Sequence, residues 1–569
     1  MDFQRLFLIG ALVLVLTLLY QKWLMFESET ADLQRSAQTL TAPTSGGKAV
    51  TLEATAKTAD VPSAPPAVVT ESANASAPTV TLAKQLPAAN TRQRVEVITD
   101  LLRAELDTYG GDLRVLDLIT YPEKLEAPEV PFRLLTDSGP NLYWVQNGLL
   151  GSQSDLPNHH SEYTATKKRY VLAEGKDRIE VPLHIESDGV HYRKVYTFYR
   201  DSYYVDVRYE VQNNTNKKWQ GYLYAQFVST ETSDDENTSF LGLGRLPSYT
   251  GGAIYTPEEK YTKIDFDDMR EEPLVKNTTS GWVAMLQHYF VGALLAEKES
   301  QYEFYSLVNG TGPTTQYSIG YKHLAPLSVA AGRRGEINGR MFVGPKENKR
   351  LVEANRQLEL AVDFGWLTPV SAPLFWLLTQ IQGVVVNWGL SIVLLTALVK
   401  LVFFPLSAAS YKSMAKMKKL GPRMKTLKER YGDDKQKFQQ AMMEMYKKDK
   451  INPLGGCLPI VVQIPVFIAL YWVLLESVEL RQAPLALWIH DLSAPDPFYV
   501  LPILMGASMF AQQLLNPAPV DPMQANIMRI LPIMFTLFFL WFPAGLVLYW
   551  LVNNLLSITQ QWFVMRKFA

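Results

Sequence analysis

Along the chain, apolar positions change period three times. "RLFLIGALVLVLTLLYQKWLMF" near the start is a nearly unbroken apolar run, long enough to cross a bilayer with help from Trp23, Leu24 and Phe26. Bulky, charged "QKWLMFESE" follows it instead of a small-residue cleavage pattern, so an uncleaved anchor (1–26) is favoured over a signal peptide. From residue 27 to 94, stretches such as "KTADVPSAPPAVVTESANASAPT" are too poor in large apolar side chains to offset ordering entropy, and a disordered linker is expected.

The pattern then turns to a period of two. "YYVDVRYEV" (203–211) points Val205, Val207, Tyr209 and Val211 one way and Asp206, Arg208 and Glu210 the other. "KVYTFYR" repeats the alternation, and "RYVLAEGKDRIEVPLHIE" gives two more strands around a glycine-containing turn. Many short strands over 95–365 predict a large antiparallel β-sandwich. It has no nucleophile elbow, phosphate loop or metal motif, which favours a structural or docking role over an enzyme with dispersed carboxylates.

After "LAVDFGW" the period lengthens. Residues 366–383 read as an amphipathic interfacial helix or as the polar lead-in to the next span. Five apolar stretches follow, at 384–406, 457–478, 497–514, 530–543 and 546–565, the last two parted by "FPAG", whose Pro543 and Gly545 suit a tight reversal. With the first run they make six spans. The loop 407–455 carries about thirteen Lys and Arg against about five acids, which places it in the cytoplasm. Counting back, the sandwich lies outside and both termini inside.

Whole-chain averages hide this organisation: 569 residues with 55 basic and 56 acidic side chains give a net charge of −1. That balance excludes a generally nucleic-acid-binding surface. The lone Cys457 cannot form an intramolecular disulfide. His159-His160, in "LPNHHSE", reads as a loop pair and not as a metal site, and no metal or other cofactor is expected.

One charge breaks the rule for spans. Lys400, in "LTALVKLVFFPLS", has no charged neighbour from Gly383 to Ser407. Such a residue near a helix centre costs roughly 2.5–3.5 kcal/mol on insertion scales. Gln463, Ser508, Gln512, Asn553 and Ser557 of the other spans fall in the cytoplasmic halves, and the 530–543 stretch has only Thr536. Thr396 is one turn before Lys400 and Ser407 about two turns after it. This convergence implies a wet indentation in which Lys400 faces water; snorkelling to the interface is the alternative. No Asp or Glu lies in the inner halves, which argues against a proton- or ion-coupled solute transporter. In the basic loop, Met414, Met417, Leu420, Met424 and Leu427 form one stripe, and Phe438, Met442, Met445 and Tyr446 another. The Met-rich seam suits either recruitment of apolar segments or closure of the helical hairpin itself.

"LVKLVFFPLSAASYKSMAKMKKLGPRMKTLKERYGDDKQK", "NPLGGCLPIVVQIPVFIALYWVL", "SVELRQAPLALWIHDLSAPDPFYVLPILMG", "FFLWFPAGLVLYWLVNNLLSITQQ" and "SGWVAMLQHYF" resemble the YidC/Oxa/Alb family of membrane protein insertases, in its Gram-negative form, over nearly the whole chain. The resemblance implies a polytopic α-helical inner-membrane protein with a five-helix core (384–569) around a hydrophilic groove and a periplasmic sandwich. The implied activity is insertion and folding of nascent membrane proteins, alone or with SecYEG and SecDF; ribosome or signal-recognition components and membrane lipids are further implied partners. The family's groove cation is usually arginine, and Lys400 stands at that position. Thr396, Phe403, Trp541 and Trp550 match substrate-contacting faces, and the hairpin is implicated in recruitment.

Overall fold

The protein is described by a computed structural model covering residues 60–65, 92–151, 156–231, 248–298, 300–354, 357–431, 434–449, 458–516 and 522–568. The expected anchor, most of the linker and Cys457 lie outside the described residues. Residues 413–456 belong to a unit distinct from the one holding the strands and the remaining helices described below.

Alternating segments became strands of two sheets. In Tyr204–Asn213 every second residue is buried, with Val205, Val207, Tyr209 and Val211 facing inward as the period requires. This strand pairs antiparallel with Val190–Tyr199 and Arg334–Pro345 in a nine-stranded sheet. The eleven-stranded sheet is centred on Tyr143–Leu150 and Trp219–Thr230. The sheets face each other: the Tyr143 hydroxyl donates to Met285 O at 3.1 Å, and Asn147 Nδ2 donates to the Tyr196 hydroxyl at 2.8 Å. Pairing is antiparallel with one exception among the described strands, where Arg169–Val171 runs parallel to Glu96–Ile98. The two strands expected from "RYVLAEGKDRIEVPLHIE" do form, with Gly175 at φ +73° in the turn, but they join different sheets. A short turn does not by itself make a hairpin: Arg169–Val171 pairs with Glu96–Ile98, while Arg178–Ser187 pairs with Val190–Tyr199.

Lys194 occupies an inward-facing position of its strand, in register with Tyr192 and Tyr196, and is wholly buried. Its ammonium donates to Gly110 O at 3.0 Å and Asn147 O at 3.2 Å, among the rings of Tyr163, Tyr196 and Tyr209. Burial drives its pKa down to about 7.

Helices are few until residue 348: α1 (Phe266–Glu271) and α2 (Asn348–Ala354) are short. Thereafter come α3 (Thr368–Val385), α4 (Trp388–Val402), α5 (Phe404–Lys419), α6 (Gly421–Tyr431), α7 (Lys435–Lys448), α8 (Leu458–Glu476), α9 (Val500–Leu515), α10 (Pro522–Phe538) and α11 (Ala544–Phe568). α3 ends on Val386 in the left-handed region, and Asn387 caps α4 by accepting from Leu390 N at 2.8 Å. α11 packs on both α4 and α9, and α3 packs on α4 and α8. Gly506 permits the close approach of α9 and α10, since a Cβ there would lie 1.8 Å from Thr536 Oγ1. The "FPAG" reversal is anchored by Ala544 N and Gly545 N donating to Ala494 O and Leu492 O at 2.8 and 2.9 Å.

The expected span 384–406 is not one straight helix. α4 and α5 meet at Phe403 with a bend of 67°, two residues before Pro405. Proline lacks the N–H needed to continue the hydrogen-bond ladder and clashes with the preceding turn. Among the described residues no single helix is long and apolar enough to cross a membrane, although this bent pair has the length and composition. In the separate unit, α6 packs on α7, and Asp434 caps α7 by accepting from Lys437 N at 3.1 Å, as "GDD" suggested.

The sandwich is joined to the helices by the segment after α8. Glu479 accepts from Asn348 N at 3.2 Å, and Arg481 donates to Pro122 O at 2.8 Å while lying over the Phe132–Phe290 ring pair. Burial raises the Glu479 pKa to about 7 from 4.5, against the hydrogen bonds that favour its anion. Between those values the folded state holds a proton that the unfolded state has lost, so stability falls as pH rises. Thermal unfolding of the solubilised protein should show that decline from pH 4.5 to 7, and Glu479→Gln should flatten it. Within the sandwich, Phe227 is fully buried against Tyr143. Phe227→Ala should lower stability by about 3–5 kcal/mol, read by denaturant unfolding.

Candidate functional site

Among the described residues, the apolar helices carry a cluster of polar side chains around a charge. Lys400, near the end of α4, is 6% exposed. Its ammonium donates to Gln463 Oε1 of α8 at 3.1 Å and to Ser557 Oγ of α11 at 2.7 Å. Ser557 Oγ donates back to Asn553 O at 2.7 Å, and Gln463 Nε2 donates to Asn553 Oδ1. Gln560 Nε2 reaches the Lys400 carbonyl at 3.3 Å. Among the described residues no carboxylate pairs with this lysine. A positive charge is therefore held by neutral oxygens, and two of its three donors are used.

Helical spacing explains the convergence. Asn553, Ser557 and Gln560 stand at i, i+4 and i+7 and share one face of α11. Asn554, one residue round the helix, turns toward α9 and donates to Ser508 Oγ at 3.1 Å. Gln561 donates to Asn516 Oδ1 at 3.0 Å. Asn554, Gln560 and Gln561 were absent from the candidates named from sequence, yet the same i, i+3, i+4 count along "NNLLSITQQ" would have found Gln560.

The expectation that Lys400 stands in open water is corrected by its burial: cross-helix hydrogen bonds, not bulk solvent, hold the ammonium. Beside it is a hollow lined by Val399, Lys400, Phe403, Leu406, Ser407, Val462 and Gln463. Thr396 does not join the cluster, because its hydroxyl is bonded to Ile392 O of its own helix at 2.6 Å. Ser508 likewise binds Met505 O at 2.6 Å and meets Asn554; Gln512 is half-buried near the end of α9 and forms no described link to Lys400. Trp550 packs edge-on against Phe467 at 4.5 Å and lies 5.4 Å from Phe539, within an aromatic group formed by α8, α10 and α11. Trp541, 40% exposed, ends the 3₁₀ turn Phe539–Trp541. In the separate unit Met424 is buried, while Met414, Met417, Met442 and Met445 are half-buried.

The family described as 60Kd inner membrane protein matches residues 380–569, and the YidC periplasmic domain matches 94–377. A membrane protein insertase YidC from Alkalilimnicola ehrlichii is 50% identical over 477 residues, covering 84% of this chain and 83% of that protein. Another from Pseudomonas fluorescens is 45% identical over 569 residues, covering 100% and 98%. The chain belongs to the YidC family of membrane protein insertases. A crystal structure of an active YidC insertase with its first transmembrane domain resolved is also similar, at 18% identity and a TM-score of 0.38 over 82% of this chain and 92% of that one.

As a YidC insertase this is an inner-membrane protein with a periplasmic β-rich domain, and its activity is insertion, not an enzymatic reaction. The Lys400 cluster lies within the inner-membrane family region. Ser557→Ala should lower the melting stability of the solubilised insertase by about 1.5–3 kcal/mol, since it strips one acceptor from a buried charge. In the Lys400→Met background the same change should have much less effect, which a double-mutant cycle of thermal unfolding measures.

Proposed function

We propose that the Lys400–Gln463–Ser557 cluster is the polar floor of a groove through which segments of nascent membrane proteins pass into the bilayer. The supporting observation is a buried ammonium bound only by neutral side chains next to a hollow. Neutral hydrogen bonds exchange readily with an incoming backbone carbonyl or carboxylate, whereas a buried carboxylate partner would hold the charge far more tightly. The third donor of Lys400 gives such a group its first contact. Polar stretches of the substrate thus exchange partners partway across, and its apolar stretches partition to lipid, each Leu, Ile, Val or Phe contributing on the order of 0.3–0.6 kcal/mol at the helix centre.

In this reading the chain has six spans: the N-terminal anchor (1–26) and five core helices drawn from 384–569, α4 continuing into the bent α5. The hairpin 407–455 and both termini face the cytoplasm, a placement supported by the excess of Lys and Arg in that loop. The linker 27–94 and the sandwich 95–365 lie in the periplasm, and the helix near 366–383 rests at the membrane surface. Phe403, Trp541 and Trp550 contact the moving segment. The methionines 414, 417, 424, 442 and 445 meet it first, their flexible side chains accommodating varied sequences. Larger substrates are shared with SecYEG and SecDF.

The test is insertion of short single- and double-span proteins into vesicles containing variant insertase. Lys400→Arg should be nearly silent. Lys400→Glu should reduce insertion most for substrates with acidic translocated tails, because like charges then meet in a poorly screened site. Normal rates for every substrate with Lys400→Leu would remove the charge from the mechanism.

A further inference from the structure

Three metal-ligand side chains meet on the sandwich, far from the Lys400 cluster in sequence. His159 Nε2 lies 3.3 Å and His160 Nε2 3.1 Å from one carboxylate oxygen of Asp60, and among the described residues this is the group whose donor atoms gather within 4.8 Å. Adjacent ligands around a tetrahedral Zn²⁺ with bonds of about 2.0 Å stand roughly 3.3 Å apart. The two histidine–aspartate separations match that spacing, and all three donors lie within 4.8 Å of one another.

The surroundings fix each donor. His159 is buried, and its Nδ1 faces the Tyr224 hydroxyl at 2.5 Å. When Nδ1–H donates to that oxygen, Nε2 presents its lone pair toward Asp60, the arrangement that orients metal-binding histidines. His160 is positioned by its own N–H donating to Asn158 Oδ1 at 2.8 Å. Asp60 is held by its backbone, whose carbonyl accepts from the buried Gln226 at 3.1 Å; three residues on, Ser63 O accepts from Lys322 at 2.9 Å. The second carboxylate oxygen of Asp60 is buried without a hydrogen-bond partner. A proton on an imidazole Nε2 or a bound cation can each satisfy this carboxylate oxygen; the second oxygen, buried without a donor, favours a cation with room for another ligand.

We propose that Asp60, His159 and His160 bind a divalent transition metal, Zn²⁺ above all, which clamps the linker onto the sandwich. Two imidazoles and one carboxylate suit Zn²⁺ over Mg²⁺ or Ca²⁺, which favour all-oxygen shells. The clamp joins residues 99 positions apart in the chain. That separation explains why the histidine pair reads as an ordinary loop: no ligand lies at a recognisable spacing. Metal binding fixes Asp60–Pro65 against the sheet.

The test uses full-length insertase purified without a polyhistidine tag, stripped with EDTA and titrated with Zn²⁺ against a chromophoric chelator. About one tight equivalent is expected. Asp60→Ala and His160→Ala, both at accessible positions, should each weaken binding by at least about tenfold, with near-ultraviolet circular dichroism unchanged. Zn²⁺ should also slow proteinase K cleavage near Asp60 in the unaltered protein and not in Asp60→Ala. Absence of a tight equivalent, or binding that neither variant changes, overturns the site. Binding lost in His160→Ala but kept in Asp60→Ala overturns the clamp.

Discussion

A lone ammonium inside apolar helices constrains everything around it. Burying an unpaired charge is so unfavourable that the structure must surround it with oriented dipoles, admit water, or release it to the surface. This chain takes the first course. Gln463 and Ser557 come from two helices other than the one bearing Lys400, so the hydrogen bonds that satisfy the charge also tie α4, α8 and α11 together. The absence of a carboxylate among these partners is what the proposed groove relies on: the charge is stabilised well enough to persist, and in that reading no fixed anion has to be displaced before a substrate group approaches.

The frame holding this cluster is itself polarised. Trp550, Phe467, Phe535 and Phe539 make an aromatic group two helical turns before Ser557 along α11. The "FPAG" reversal returns the chain onto the loop Leu492–Ala494, whose other end is organised by buried Asp496 accepting from Trp488 Nε1, Phe498 N and Leu501 N. Glu479 and Arg481 then dock that side onto the sandwich.

Residue chemistry made much of this legible from sequence. Alternation along 203–211 fixed which side chains face inward, because a strand's period of two leaves no other choice. The clustering of Gln463, Asn553 and Ser557 with Lys400 followed from polar residues being confined to matching halves of apolar runs. What local pattern could not supply was partnership. Whether a hydroxyl serves a neighbouring helix or its own backbone is decided by rotation about the helix axis, so Thr396 and Ser557 look alike in sequence and behave differently. The 67° bend at Phe403, the parallel pairing of Arg169–Val171 and the meeting of Asp60 with His159 all depend on contacts between distant segments. The shelter of Lys400 is illegible for the same reason: polarity predicts company for the charge, but not whether water or side chains supply it.

The central claim is that substrate passes beside the buried charge. The most direct measurement is photocrosslinking during synthesis of a short membrane protein, with the probe at hollow-lining Phe403 or Val462 in parallel with Leu401, which is 66% exposed on the neighbouring surface. Strong adducts from the two hollow positions and weak ones from Leu401 are expected. Equal yields at all three, or adducts from Leu401 alone, would show that the nascent segment bypasses the cluster.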